Sequence, residues 1–471
     1  ISVRNVNKMK IMLINPPIRE NEPPRHLPIG LGIIAKTLLN DGHEIKILDI
    51  NAERISKSDL NIRLNFKNKY DVIGVGGLIT THQYLKWLIP EIKKHNSDSK
   101  IVIGGGVVTE NPTPLLSKTP ADVAVIGEGE NTIKELILKF EENAPLKDIN
   151  GIAYKEENKI KLNPPRPLIK DLDDLPFPAY ELFPMDIYLK NISHASIIGK
   201  NTEMDIITSR GCPYNCKYCY HIFGIGVRSR SVDNVIKEIK YLIDKYKIDS
   251  LLMLDETFTI NKKRVNEFCT KLSSEKIDIS WSCYARVNLV DREMLDNMRR
   301  TGCFRVGYGI ESGSQTILDK MEKKVTVEQA KNAIKITREA GLICGMTWMF
   351  GYPGETLETL KETIDLCKEM LIFPSFFYTT PYPGSWLYDQ VKDKIVEKYG
   401  NEENFISVLG NASDFTINLT DFSDEQLHKL KRDTEEMLRK IPIYRYPEYL
   451  YSRYQQYGMG LLVKKAINKI I

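Results

Sequence analysis

The chain carries two separate series of short apolar runs, each ending in glycine or a turn and each followed by a helical pattern. Runs that are apolar on both faces fill the middle of a sheet covered on both sides. Alternation with helices then requires parallel strands joined by right-handed crossovers. The first series is KIMLINPP (10–17), EIKILDI (44–50), DVIGVGG (71–77), KIVIGGG (100–106) and ADVAVIGEGE (121–130), with helical periodicity over 30–41, 82–95 and NTIKELILKF. It predicts a doubly wound, Rossmann-like parallel sheet over 9–145. The Pro-rich stretch around DLDDLPFPAYELFP predicts an irregular connector over 146–200. The second series is DIITS (205–209), SLLMLD (250–255), DISWSC (278–283), FRVGYG (304–309), ICGMTWMF (343–350) and PSFFYTT (374–380). Six such units predict a partial (β/α)6 barrel over 201–385, too few for eightfold closure. Residues 386–471, with SDEQLHKLKRDTEEMLRKI and the Tyr-rich YRYPEYLYSRYQQYG, are expected to form a helical C-terminal domain over the substrate.

The chain has 471 residues, 42% hydrophobic and 27% charged, with a net charge of +4. That length supplies two or three cores, and the near-balanced charge excludes a nucleic acid held mainly through its phosphates. No run approaches the ~18 apolar residues of a spanning helix. The opening ISVRNVNKMK lacks the apolar core of a secretory leader, and Met9 begins the first strand. A cytoplasmic protein is expected. The tail GLLVKKAINKII is amphipathic and is read as a packing helix ahead of a membrane-surface one.

Five of the eight cysteines (Cys269, Cys283, Cys303, Cys344 and Cys367) stand alone and read as small buried hydrophobes. The other three, Cys212, Cys216 and Cys219, fall together in SRGCPYNCKYCYHIFG (209–224). Such a cluster in a reducing compartment points to metal or redox chemistry. His221 offers a Cys3His zinc site as a rival, but it lies only two residues beyond Cys219, closer than zinc spacings usually allow. Thiolates suit an iron–sulfur cluster, and one short of a protein ligand can bind a cofactor directly.

CPYNCKYC is similar to the cluster loop of the radical S-adenosylmethionine (SAM) enzymes. The resemblance implies that Cys212, Cys216 and Cys219 hold a [4Fe–4S] cluster and that SAM chelates the fourth iron. It implies that Tyr218 walls the adenine, and that LDETFT sets Asp255 and Glu256 at the SAM amino group. Arg286 of YARVN then meets the SAM carboxylate, Glu311 of GIESGS the ribose, and Gly351, Pro353 and Gly354 of FGYPGET the adenine. All fall at C-terminal strand ends, where barrel enzymes place their chemistry.

The first series lacks a dinucleotide fingerprint, since Ile79 stands where the third glycine belongs. Its glycine-rich strand ends suit a bulky ligand that approaches the backbone outside the carboxyl ends of the strands. INPP, LPIGLGIIAKTLLNDGHEIKILD, GGG and DVAVIGEGE, with DLDDLPFPAY and TPYPGSWLY (380–388) further on, resemble the cobalamin-binding branch of radical SAM enzymes. That resemblance implies cobalamin contacts from Asn15, Pro16 and Pro17, from Gly76, Gly77, Leu78 and Thr80, from Gly104, Gly105 and Gly106, and from Gly127, Glu128, Gly129 and Glu130. One signature departs: NPPIREN follows the first strand where cobalamin mutases carry Asp-x-His-x-x-Gly. His26 and His82 are the nearest histidines and read as ordinary surface or loop residues, so base-off, His-off cobalamin is expected.

Taken together the resemblance implies a cobalamin-dependent radical SAM methyltransferase acting on an unactivated carbon. One SAM methylates cob(I)alamin; another is cleaved at the cluster to a 5′-deoxyadenosyl radical that takes a substrate hydrogen. The low potentials imply a ferredoxin or flavodoxin partner and an oxygen-sensitive, anaerobic enzyme. The strand ends of sheet and barrel are expected to face each other across a gap, so that proximity serves the transfer. Tyr308, Tyr378 and Tyr382 are candidates to line it, with aromatic packing as the plainer alternative. A non-methylating cyclisation or rearrangement is the second reading. A peptide or protein side chain, a lipid and a small metabolite all stay open as substrate.

Overall fold

The computed structural model describes residues 8–19, 24–65, 70–157, 159–411 and 413–440. They form two compact units: one of Ile1–Asn191 with Asp393–Gly410, the other of Ile192–Lys392 with the chain from Asn411 onward.

The first unit is built on β1 (Lys10–Asn15), β2 (Glu44–Asp49), β3 (Val72–Gly76), β4 (Lys100–Gly104), β5 (Val123–Val125), β6 (Ile152–Glu156) and β7 (Lys159–Leu162). Their order is β2-β1-β3-β4-β5-β6-β7. The first five strands are parallel and reverse direction of winding between β1 and β3. Alternation at period 2 explains why the strands read as unbroken apolar runs. Met12 and Ile14 of β1 join Ile73, Ile101 and Ile103 in the core on one face of the sheet. Ile11 and Leu13 join Val72, Val102 and Val123 in the core on the other.

The segment expected to be an irregular connector over 146–200 opens instead with an antiparallel hairpin. β6 pairs with β5 and β7 with β6, extending the sheet to seven strands. β7 is an edge strand whose Lys159 and Lys161 are exposed, charges that discourage further pairing. Further along, Tyr188 reaches the ends of β1 and β2. Its hydroxyl donates to Asp49 Oδ2 at 2.6 Å, while Asn15 Nδ2 donates to Asp49 Oδ1 at 2.8 Å.

The second unit is a six-stranded parallel sheet in the order β15-β14-β13-β12-β11-β8. Its strands are β8 (Met204–Ile206), β11 (Ser250–Met253), β12 (Ser280–Ala285), β13 (Cys303–Glu311), β14 (Ile343–Phe350) and β15 (Phe376–Tyr378); a two-residue hairpin, β9 (Ser209–Arg210) with β10 (Arg228–Ser229), follows β8. Crossover helices include Val232–Tyr246, Lys262–Ser274, Val327–Glu339 and Leu357–Glu369. Trp281 of β12, fully buried, packs edge-on to Phe268 and close to Phe258 on the outer side.

The C-terminal expectation also divides. Residues 393–410, with the helix Glu402–Ser407, return to the first unit, and the helix Asp424–Arg439 belongs to the second. Glu403 holds the returning segment through Lys86 at 2.8 Å and through Lys118. The Tyr-rich stretch and the tail GLLVKKAINKII lie outside the described residues. Among the described residues no helix is long and apolar enough to cross a membrane.

The Tyr188 clasp gives a stability prediction. Removing its hydroxyl takes the Tyr188 donor from Asp49 Oδ2 and leaves only the donors on Oδ1, which costs about 1–3 kcal/mol. Y188F is therefore expected to lower the apparent Tm of the full chain, read by circular dichroism.

Candidate functional site

The cysteine loop leaves the second unit at the β9–β10 hairpin. Gly211 has φ +87, and a Cβ there would sit 2.3 Å from the Gly226 carbonyl oxygen, so the neck of the loop excludes any side chain. Within the loop the Cys219 N–H donates to the Cys216 carbonyl at 2.9 Å. The Lys217 N–H donates to the Met321 carbonyl at 2.9 Å, and the Leu387 N–H to that of Lys217 at 2.8 Å. Cys216 is buried; Cys212 and Cys219 are partly open. Burial, then the neighbouring Cys216 and Cys212, pushes the Cys219 thiol up to about 12. Lys323 opposes that rise at Cys219, and a bound cation such as iron would favour the thiolate further. Among the described residues no three His, Cys, Asp or Glu side chains converge on a single ion. A cubane takes one thiolate per iron, so its ligands need not converge on a single point as those of a mononuclear zinc must. His221 does not join the three: its Nε2 is buried without a partner and burial lowers its pKa.

The acidic pair after β11 divides its work. Asp255 is buried and braces the chain before the loop, accepting from Thr208 N–H at 2.6 Å, Thr208 Oγ1 at 2.5 Å and Ser209 Oγ at 2.7 Å. Glu256 is exposed and accepts the Gly211 N–H at 3.0 Å, leaving carboxylate capacity for a ligand. Arg286 lies against the loop, with Nη1 3.6 Å from Cys216 Sγ, the guanidinium 3.6 Å from the Tyr214 ring centroid, and Nη2 donating to the Lys323 carbonyl. It lies against Cys216 rather than standing as an open arm.

Glu311 ends β13 with φ +67, a conformation that costs of order 1–3 kcal/mol and persists where its surroundings impose it. Its Oε1 accepts from Tyr218 Oη at 3.3 Å and from Lys323 Nζ at 3.2 Å, and Lys323 also donates to Tyr218 Oη at 2.9 Å. A Cβ at Gly309 would lie 2.2 Å from Glu311 Oε1, so this glycine makes room for the carboxylate. Lys323, only 5% exposed, is the residue that sequence reasoning missed. In MEKKV it looks like half of a solvated lysine pair, and its left-handed neighbours, Glu322 (φ +48) and Lys324 (φ +55), leave no mark in hydropathy. After β14, Gly351 (φ +80) and Gly354 (φ +82) bracket Pro353. Glu355 fixes this turn by accepting the Gly351 N–H at 2.7 Å, and burial pushes its carboxyl up to about 7, a rise that this hydrogen bond opposes.

Two tyrosine candidates point elsewhere. Glu311 and Gly309 share one face of β13, and Tyr308 takes the opposite one. It is 1% exposed and its hydroxyl meets Thr337 Oγ1 of the helix Val327–Glu339 at 2.8 Å. Tyr378 turns to the C-terminal helix, with its hydroxyl 2.7 Å from His428 Nδ1 and its ring edge-on to Phe415. Both are packing residues. Tyr382 is half-buried, and its carbonyl accepts the Ser385 N–H at 3.0 Å.

In the first unit the ends of β3 and β4 press together. The Gly77 N–H donates to the Gly104 carbonyl at 3.3 Å and the Val107 N–H to that of Gly77 at 3.0 Å. Cβ atoms would meet the Gly104 oxygen at 2.5 Å from Gly76 and the Gly77 oxygen at 2.8 Å from Gly105. Gly106 is buried beside them, whereas Gly127 (φ +72) has nothing within 4 Å of a Cβ. Leu78 is 48% exposed at the end of β3, and Thr80 Oγ1 is buried without a partner. Gly129 and Glu130 open the helix Glu130–Glu141, and Glu128 accepts the Ile169 N–H at 2.8 Å. A glycine-lined, partly apolar face with an unsatisfied hydroxyl fits a wide macrocycle with polar edges, and it lies at carboxyl strand ends next to the switch point between β1 and β3. Asn15 is drawn into the Asp49–Tyr188 network, with Pro16 and Pro17 buried beside it. His82 is 2% exposed, and burial, then Lys86 and Lys118, hold its pKa down to about 4 against the opposing pull of Glu403. It is a neutral interior histidine under the returning segment. His26 is half-buried and has partners of its own.

Two measurements test these assignments. K323M leaves the buried Glu311 carboxylate without its cation and is expected to weaken SAM binding at least about tenfold, with K323R restoring most of it. The Glu355 carboxyl has a folded pKa above its ordinary 4.5, so its contribution to stability is whole below that value and is lost as pH rises through about 7. E355Q should remove that loss, worth up to about 3 kcal/mol, and narrow the gap in apparent Tm between pH 5 and pH 8.

Residues 206–367 match the Radical SAM superfamily and residues 18–137 the B12 binding domain. The chain is 33% identical to an uncharacterized methyltransferase of Pyrococcus horikoshii over 98% of both chains. It is 27% identical to the cytidylyl-2-hydroxyethylphosphonate methyltransferase of Streptomyces wedmorensis over 80% of each. To the anaerobic magnesium-protoporphyrin IX monomethyl ester cyclase of Rubrivivax gelatinosus it is 28% identical, over 72% of this chain and 62% of that one. Among solved structures the fold is similar to the radical SAM methyltransferase TsrM from Kitasatospora setae, with a TM-score of 0.69, 18% identity and coverage of 83% of this chain and 75% of that one. It is also similar to the cobalamin-dependent radical SAM enzyme OxsB, with a TM-score of 0.67, 20% identity and coverage of 91% and 62%. The chain belongs to the cobalamin-dependent radical SAM enzymes, in their methyltransferase branch, and its cofactors are a [4Fe–4S] cluster, SAM and cobalamin.

Proposed function

We propose that this enzyme transfers a methyl group, by way of cobalamin, from SAM to an unactivated carbon of its substrate, a peptide or protein side chain being the class we favour. The observation that carries the methyl-transfer reading is the identity to a methyltransferase along nearly the whole chain, both cofactor domains included. When bound, the cluster supplies an electron to SAM and the cobalamin carries the methyl group.

The chain's own residues hold and orient. Cys212, Cys216 and Cys219 would each ligate one iron and leave one for SAM. Arg286, beside Cys216, would offset the negative charge of the thiolates. Glu256 would accept from the SAM ammonium and Glu311 from the ribose hydroxyls, with Lys323 and Tyr218 fixing the Glu311 carboxylate. The Gly351–Gly354 turn, held by Glu355, would shape the adenine wall. In the first unit the Gly76, Gly77, Gly104 and Gly105 backbones, with Leu78 and Thr80, would support the corrin. A low-potential electron donor is required, and work without oxygen follows from it.

The cyclase relative favours a second reading, a non-methylating ring closure with the same cofactors. Products separate the two. Anaerobic turnover with dithionite should yield S-adenosylhomocysteine beside 5′-deoxyadenosine, and 5′-deoxyadenosine without S-adenosylhomocysteine would mean ring closure. C216A should lose the cluster's visible absorbance and all SAM cleavage while still binding cobalamin. Persistent cleavage in that variant would overturn the assignment of the cysteine loop.

A further inference from the structure

We infer that Arg305, on the inner face of the barrel strands, anchors an anionic group of the substrate, a carboxylate or a phosphate. This deepens the proposed function and rests on its assignment of Glu311 to SAM.

Alternation along β13 puts Arg305 and Gly307 on the inner face with Gly309 and Glu311, while Tyr308 turns to the helix behind. The guanidinium lies over two glycines that are partners across β13 and β14. A Cβ at Gly307 would stand 3.1 Å from its Nη1, and one at Gly345 would collide with its Nη2. Tyr284, opposite Gly307 on β12, flanks it with a ring centroid 5.7 Å away. Two adjacent strands are thus cut back to glycine around one charged side chain. Thr347, level with Gly309, is exposed although β14 is paired on both sides, so the inner face is open above. At the amino-terminal ends of β13 and β14, Phe304 and Ile343 pack against Ala195 and close it below.

The guanidinium has no protein counterion. Arg305 forms no ion pair among the described residues, and its Nη1 is covered with no acceptor. Ser282, its cross-strand neighbour, is fully buried and its Oγ has no partner either. Arginine cannot shed its charge, so a sheltered one is costly until something supplies the acceptor. Two acids act on the neighbouring Tyr284, and both are committed. Glu203 accepts the N–H groups of Ser193, His194 and Ala195. Asp205 stands three strand spacings from Arg305, about 14 Å along the sheet, and has contacts of its own.

The planar fork binds a carboxylate or a phosphate through paired N–H bonds and sets its direction as well as its place. Gly307 lies two residues, about 7 Å, before Gly309, beside which the Glu311 carboxylate sits. A molecule held by its anionic end at Arg305 would therefore offer carbons a few bonds further on to the ribose side of SAM.

The test is calorimetric titration of the full chain with reconstituted cofactors, using benzoate and phenylphosphonate as probes and benzamide as their neutral control. At constant ionic strength the wild type should bind one anion at least about tenfold more tightly than benzamide, and the better anion names the group. R305M should weaken that anion about tenfold and leave benzamide unchanged, with R305K in between. G345A keeps the charge but displaces the fork, and should weaken the anion severalfold; if circular dichroism shows R305M unfolded, G345A and R305K decide. Three results would overturn the inference: no binding of either anion, benzamide as tight as the anions, or equal anion affinity in wild type and variants. The titration needs no turnover. A wild type that binds the anion but cleaves no SAM with dithionite would sink the proposed function and leave the anion site standing.

Discussion

The carboxylate of Asp255 fixes the point from which the cysteine loop departs. It binds one backbone N–H and two hydroxyls of Thr208 and Ser209 at the end of the neighbouring strand. Fully buried, it closes the gap between β11 and the chain leaving β8. The pinched neck at Gly211 follows immediately, and the neighbouring Glu256 holds the same glycine from the other side. Three thiols on a loop of this length would otherwise sample many arrangements. Ordering them ahead of the metal removes that entropy from the binding step.

A second layer of constraint comes from left-handed backbone. Glu311, Glu322 and Lys324 all take positive φ without being glycine, and all lie next to the buried Tyr218–Glu311–Lys323 contact. Strain of this kind is stable only where packing and charge over-determine it, and here a buried ion pair does so. The same contact joins the cysteine loop, after the first barrel strand, to the end of β13, the fourth, so the two share one polar cluster.

Much of this was legible in the sequence, and the reasons are physical. Strands buried on both faces announce themselves as apolar runs, which is why all eleven parallel strands could be anticipated, with the ends of β5 and β8 placed too far along the chain. The cysteine spacing is local, so it survives without knowledge of the fold. The β6–β7 hairpin was hidden because IAYKE and KIKL are short, half polar and lie at an edge. Lys323 was hidden because burial of a lysine depends on a partner twelve residues away. Tyr308 and Tyr378 illustrate the opposite failure: their place near strand ends was visible, but period 2 decides which way a side chain faces, and both face the surrounding helices.

The return of residues 393–410 to the first unit has a consequence for the way the chain is assembled. Phe405 and Ile406 are buried there, and Glu403 is clamped by two lysines from separate helices. An N-terminal fragment ending at residue 191 would expose the surface these residues cover. The first unit is therefore complete only after the barrel strands have left the ribosome. Synthesis order and folding order diverge, and the cobalamin-binding half waits for nearly the whole polypeptide before its last side is closed.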